Sequence, residues 1–151
     1  MESIFYRDGF KYVLDEDYID TIPIFPPETI VTKWVCLSPK GKLFLRSGFG
    51  FDGPSGPTID TRSAMRGAAK HDGIHRLLRL GLLEEKWRKV ADEMYMTDCI
   101  ADSKKTRPKW IPAAIYEPLA ELRFKGHFAV LRAVGWTAAK VGTEPLVLRA
   151  P

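Results

Sequence analysis

The sequence predicts an α+β fold in one domain over 1–151. Three observations carry this. Runs of β-branched and aromatic residues, cut by proline and glycine, fill the first third; apolar positions three and four apart fill the rest; and 151 residues at 45% hydrophobic content are enough for one buried core. The expected organisation is a β region over 1–47, a loop over 48–58, a helix pair over 59–103, a C-terminal helical region over 110–142 and a tail over 143–151.

In the β region, Thr29 to Leu37 reads as a strand, Ser38-Pro39-Lys40-Gly41 has turn chemistry, and Lys42 to Arg46 reads as the partner strand of a hairpin. Pro23, Pro26 and Pro27 punctuate the preceding segment, and Phe10 to Leu14 suits a short strand or a packed arm. From Gly48 to Pro57 the chain is rich in Gly, Pro, Phe, Asp and Ser, which predicts an irregular loop able to aim backbone carbonyls at one point.

The first helix is expected to start near Asp60 or Ser63, either of which can cap it, and to end at Gly81. Along it Ala64, Ala68, His71, His75 and Leu78 share one face. The second, from about Leu83 to Ala101, turns Trp87, Val90, Ala91, Met94 and Cys99 inward, with Asp92 and Tyr95 three apart beside them. Two helices joined by a short turn pack antiparallel, so His71 and Asp92 are expected at similar heights, within contact. Pro112 suits the first turn of a third helical region, which Pro118 and Gly126 are expected to bend or split before a helix over Phe128 to Val141. The tail, with Leu146-Val147-Leu148, is expected to be extended and to dock on a partner.

Charge and composition exclude several classes. The net charge of +4 is spread among mixed acidic and basic residues, with neither the stripe nor the motif of a nucleic-acid binder, and no nucleic-acid partner is expected. The densest basic run, Lys104 to Lys109, falls in a predicted loop, and Lys125, Arg132 and Lys140 border an amphipathic helix. Two cysteines, Cys36 and Cys99, make no disulfide framework and read as buried thiols. The N-terminus carries no export signal and no apolar run reaches membrane-spanning length, so synthesis in a host cytoplasm is expected.

Chemistry concentrates between Gly48 and Cys99. A histidine whose one ring N–H is held by a buried carboxylate keeps its other nitrogen free to take a proton from water. His71 and Asp92 are the candidates for that base and its orienting acid, with His75 and Tyr95 as supporting residues. Asp72, next to His71, can offer its carboxylate to a cation, and the loop from Gly50 to Ser55 can add the side chain of Asp52 and one or two backbone carbonyls, hard oxygen ligands of the kind calcium prefers. His71 and His75 at i, i+4 also echo a zinc-binding helix, with Asp92 as third ligand. The bland alternatives are a buried polar network around His71, a plain turn at Asp52-Gly53 with Gly53 at positive φ, and a packed core histidine at 75. Ser55 lacks the strand-turn-helix context of a nucleophile and reads as structural.

His71-Asp72-Gly73-Ile74-His75-Arg76 resembles the His-Asp helix of prokaryotic phospholipases A2, and Ala91 to Asp98 resembles their Asp-x-x-Phe-x-x-Asp motif; His75 stands where that family has tyrosine. The resemblance implies a phospholipase-A2-like antiparallel helix pair, His71 as base, Asp92 as its support, and Ca²⁺ held by Asp72, Asp52 and the Gly53 carbonyl. Its implied substrate is a phospholipid or other envelope ester. Gly48-Phe49-Gly50-Phe51-Asp52-Gly53-Pro54-Ser55-Gly56-Pro57, with His71-Asp72 and Ala91-Asp92, is similar to an uncharacterised family of tailed-phage and prophage proteins, which implies a phage setting. The expected function is therefore a calcium-dependent hydrolase. The rivals are a non-catalytic virion or tail component, bound to other phage structural proteins and carried in the particle, and a Zn²⁺-dependent cell-wall hydrolase.

Overall fold

The computed structural model describes residues 4–6, 10–54, 61–134 and 148–150. It is α+β: antiparallel strands come first and three helices follow. The strands are β1 (Ile4–Tyr6), β2 (Tyr12–Val13), β3 (Tyr18–Thr21), β4 (Ile30–Val31), β5 (Val35–Leu37), β6 (Lys42–Leu45) and β7 (Gly50–Phe51). The helices are α1 (Arg62–Arg79), α2 (Trp87–Lys105) and α3 (Ala113–Val134), and β8 (Leu148–Ala150) ends the order.

Strands β3, β6, β5 and β4 form one antiparallel sheet in that order. The predicted hairpin is its centre, with Val35 opposite Leu45 and Leu37 opposite Leu43. The stretch from Thr29 to Leu37 is not one strand, however, but folds back on itself as β4 and β5. Thr32 causes the reversal: its Oγ1 donates to the Val35 carbonyl at 2.8 Å and accepts from the Val35 amide at 2.9 Å, so its side chain takes the bonds that a continuing strand would need. Val35, Leu37, Leu43 and Leu45 are buried on the inner face of the sheet.

Helix α1 closes this face. At Gly73 an added Cβ would lie 2.7 Å from Leu45 Cδ2, and at Gly67 one would lie 3.2 Å from the Tyr95 carbonyl oxygen. The two glycines therefore let α1 approach the sheet on one side and α2 on the other. The cap of α1 is Thr61, with Ser63 already inside the helix, and Asp60 lies outside the described residues. The helix ends as predicted: Gly81, at φ +69°, donates to the Leu78 carbonyl while Leu82 donates to Leu77, which satisfies two terminal carbonyls.

Helix α2 starts at Trp87 and runs to Lys105, so Lys104 and Lys105 sit in its last turn, not in the loop. It is antiparallel to α1, as contacts from Arg66 to Asp102, from Lys70 to Asp98 and from His75 to Asp92 run in opposite directions along the two. Helix α3 is continuous from 113 to 134, so neither Pro118 nor Gly126 splits it. Pro118 and Ala114, whose carbonyl loses its partner at the proline, are both on the exposed side, where water can satisfy that carbonyl. On the inner side Phe124, His127 and Leu131 are buried. The expected helix beyond 134, with Trp136, Lys140 and Val141, lies outside the described residues.

The predicted loop at 48–58 begins as a strand: β7 pairs with β2, placing Tyr12 opposite Phe51. Its remainder from Ser55 lies outside the described residues. In the tail, β8 is extended as expected, and it pairs with β1 of the same chain. Both cysteines are free; Cys99 is buried in α2 and Cys36 is half-buried on β5.

Candidate functional site

The site lies where α1, α2, α3 and the end of β7 meet. Helical spacing puts His71 and His75 one turn apart, with ring centroids 3.9 Å from each other. The antiparallel pairing brings Asp92 of α2 to both. His71 Nε2 donates to Asp92 Oδ1 at 2.8 Å, and His75 Nε2 lies 3.3 Å from the same oxygen. Asp92 is only 1% exposed, so this carboxylate is held by protein groups in place of water.

Its second oxygen is held by cations. Arg132 of α3 donates from Nη1 to Asp92 Oδ2 at 3.1 Å, and Arg88 Nε lies 3.8 Å away, one helical turn before Asp92. Arg88 also donates to the Leu131 carbonyl, which ties α2 to α3 beside the site. Burial opposes a charged Asp92, but the hydrogen bonds from His71 and His75, with Arg132, outweigh it and hold this carboxyl well below the usual carboxylate range.

The other nitrogen of His71, Nδ1, faces Asp72 Oδ1 at 3.5 Å. Burial disfavours the imidazolium, yet Asp72 and Asp92 together raise the His71 pKa above its ordinary value. His75 goes the other way. Burial, and then the neighbouring charge of His71, push it down to about 4, so it stays neutral. Two histidines on one helix face are thus divided into an easily protonated and a neutral one.

The loop contributes through Asp52. Its amide donates to Asp72 Oδ2 at 3.0 Å, docking the end of β7 onto α1, while Gly53 takes φ +79° as the turn reading expects. Burial first, and then the Asp72 charge, raise the Asp52 pKa against the opposing charge of Arg79. A cavity of about 120 Å³ opens between them, walled by Phe10, Phe49 and Phe51 on one side and by His71, Asp72, Asp92, Arg76 and Arg79 on the other. It has room for several waters or one small functional group.

His71, His75, Asp72, Asp92 and Asp52 therefore meet around the cavity, Gly53 follows at the turn after Asp52, and Tyr95 touches from behind. Its ring packs 5.4 Å from His71, and its Oη lies 3.4 Å from His127 Nδ1 on α3. The sequence reading missed Arg132 as a partner of Asp92 and missed His127 altogether. They come from 40 and 32 residues further along the chain than the groups they meet, where no local periodicity links them.

The group His71, His75 and Asp92 can hold a metal ion, since one ligand atom from each lies within 4.8 Å of the others. Asp52 and Asp72 both line the neighbouring cavity. No protein-family model, curated protein or solved structure matches the chain.

Proposed function

We propose that the protein is a metal-dependent hydrolase of the phage setting its motifs resemble, acting with Ca²⁺ on a phospholipid or another envelope ester. The observation that carries this reading is the 2.8 Å bond from His71 Nε2 to Asp92 Oδ1, with the opposite nitrogen turned to Asp72 at the cavity. Asp92 fixes the tautomer, so Nδ1 is the nitrogen that can take a proton from water. The hydroxide so formed attacks the ester carbonyl carbon, and the imidazolium, stabilised by Asp92, returns the proton to the leaving alkoxide as the C–O bond breaks.

Asp72 and Asp52, both at the cavity, would hold a hard cation together with the Gly53 carbonyl, since a positive charge there would offset the burial and the Asp72 charge that raise Asp52. Calcium held there would polarise the ester carbonyl and stabilise its oxyanion. It would also occupy Asp72 and release Nδ1 of His71.

A second reading is favoured by one observation, the convergence of both Nε2 atoms on Asp92 Oδ1. In that reading His71, His75 and Asp92 bind Zn²⁺, and the protein cleaves a cell-wall amide. Arg132 weighs against it, since a guanidinium already balancing Asp92 lowers the pull of this carboxylate on a dication.

The deciding experiment is release of fatty acid from mixed phospholipid vesicles, with calcium and with chelator, beside a His71→Ala control. Calcium-dependent release that vanishes in the control is expected. No release by the folded protein overturns the reading, and then co-purifying zinc selects the cell-wall hydrolase, while stable assembly with phage structural proteins selects the virion component.

A further inference from the structure

The net charge of the chain is concentrated in one stretch. From Lys104 to Val134 there are seven Lys and Arg residues against two Glu, a local charge of +5, while the whole chain carries only +4. Within it Glu117 is 3.7 Å from Lys104 and Glu121 is 2.6 Å from Lys125, while Lys105 and Arg132 pair with acids outside it, Asp102 at 3.4 Å and Asp92 at 3.1 Å.

The same stretch exposes apolar bulk. Ile115, Leu119 and Leu122 recur at spacings of four and three on the outer side of α3, and Leu122 is 69% exposed. Gly126, Ala129 and Ala133 continue the row with small residues. Before the helix, Trp110 is 83% exposed. It is held outward by a turn in which the Ile111 amide donates to the Pro108 carbonyl and the Arg107 guanidinium caps the Ile111 carbonyl. Lys105 and Lys109 are exposed in the segment leading into that turn.

We infer that the outer face of α3, with Trp110, docks on an anionic lipid surface. Apolar side chains bordered by lysines, with an indole beside them, suit the headgroup boundary, where the leucines reach the acyl region and the cations meet phosphate. No described helix is long and apolar enough to cross a membrane, so the helix would lie along the interface. A nucleic-acid backbone would use the lysines but leave Leu119 and Leu122 without a partner, and a second copy of α3 would set Lys125 and its basic neighbours against one another.

The surface stands apart from the hydrolase reading, because binding is measured in chelator without turnover. The probe is sedimentation of the full chain with phosphatidylcholine vesicles, with and without phosphatidylglycerol. Binding to the anionic vesicles that weakens with salt is expected. Lys109→Gln with Lys125→Gln should weaken it about fivefold per lysine, and Leu119→Gln with Leu122→Gln should weaken it at low and high salt alike. Val31→Gln, at an exposed apolar residue of the sheet, should change nothing. All these positions are exposed, so a circular-dichroism melt is expected to match the parent. The inference is overturned by absence of binding to anionic vesicles, by full binding in both double variants, or by equal loss in Val31→Gln. Binding of duplex DNA in place of vesicles, or a dimer that Leu119→Gln with Leu122→Gln disperses, also overturns it.

Discussion

Asp92 Oδ1 accepts a 2.8 Å hydrogen bond from His71 Nε2 across the α1–α2 contact, and this one carboxylate also meets His75 and Arg132. Three helices are tied through it, so catalysis and folding are expected to respond to it separately.

Asp92→Asn keeps the shape of the side chain but removes the charge that stabilises the imidazolium. Turnover is expected to fall by about 10²- to 10⁴-fold, with little change in calcium affinity. Steady-state kinetics beside calcium titration calorimetry check this. An unchanged rate removes His71–Asp92 as a catalytic pair.

Asp72→Asn tests the cation set. It is expected to abolish the calcium dependence of hydrolysis, because one of two side-chain oxygen ligands loses its charge. Isothermal calcium titration gives the answer directly, and retained calcium binding would move the site elsewhere.

His75→Gln separates the two metal readings. Glutamine can still donate a hydrogen bond to Asp92, so the calcium-dependent activity should survive within about tenfold. Loss of bound zinc together with all activity would favour the three-ligand site. Metal analysis of the purified variant and its kinetics decide between them.

A second buried network gives a pH prediction. Lys70, 3% exposed, contacts Asp20 at 2.7 Å and Asp98 at 2.6 Å, while Arg66 binds Asp102 at 2.7 Å. Burial works against each charge, but the ion pairs prevail: Lys70 lowers Asp20, Arg66 lowers Asp102, and Asp20 with Asp98 raises Lys70. The depressed carboxylates contribute stability above their unfolded pKa of 3.8 and lose it as pH falls through the folded values. The raised Lys70 contributes below 10.5 and loses it as pH rises through its folded value. Urea midpoints should therefore be level between about pH 5 and 9 as far as this network is concerned, and fall beyond. Lys70→Met, which leaves partly buried Asp98 with Arg66 alone, should cost about 2 kcal/mol at pH 7. Its loss relative to the parent should shrink at pH 3. A difference independent of pH would contradict this account.

Close packing gives the last prediction. Gly67→Val places branched methyls against the Tyr95 carbonyl, already 3.2 Å from where a Cβ would sit. Valine gains less than about 1 kcal/mol in helix propensity over glycine, while overpacking costs about 1–3 kcal/mol. The variant should be destabilised, and a rise in the thermal midpoint would refute the tight α1–α2 contact.

What the sequence by itself determined was local. Periodicity placed His71 and His75 on one helix face, Gly81 marked the turn after it, and the short connection to α2 set Asp92 at the right height. These follow from backbone geometry and side-chain spacing over a few turns, which is why His71, His75 and Asp92 were legible as one group. Where a local rule competed with another, the reading failed: the Thr32 hydroxyl broke a strand that β-propensity alone would continue, and exposure of Ala114 and Pro118 let α3 run through its proline. Only the tertiary structure decided which charges compensate Asp92, that Arg66 and Lys70 bridge α1 to both β3 and α2, and that α3 leaves Leu119 and Leu122 outside. Long side chains choose partners by where separate elements come to rest, and burial then decides which of those pairings must form.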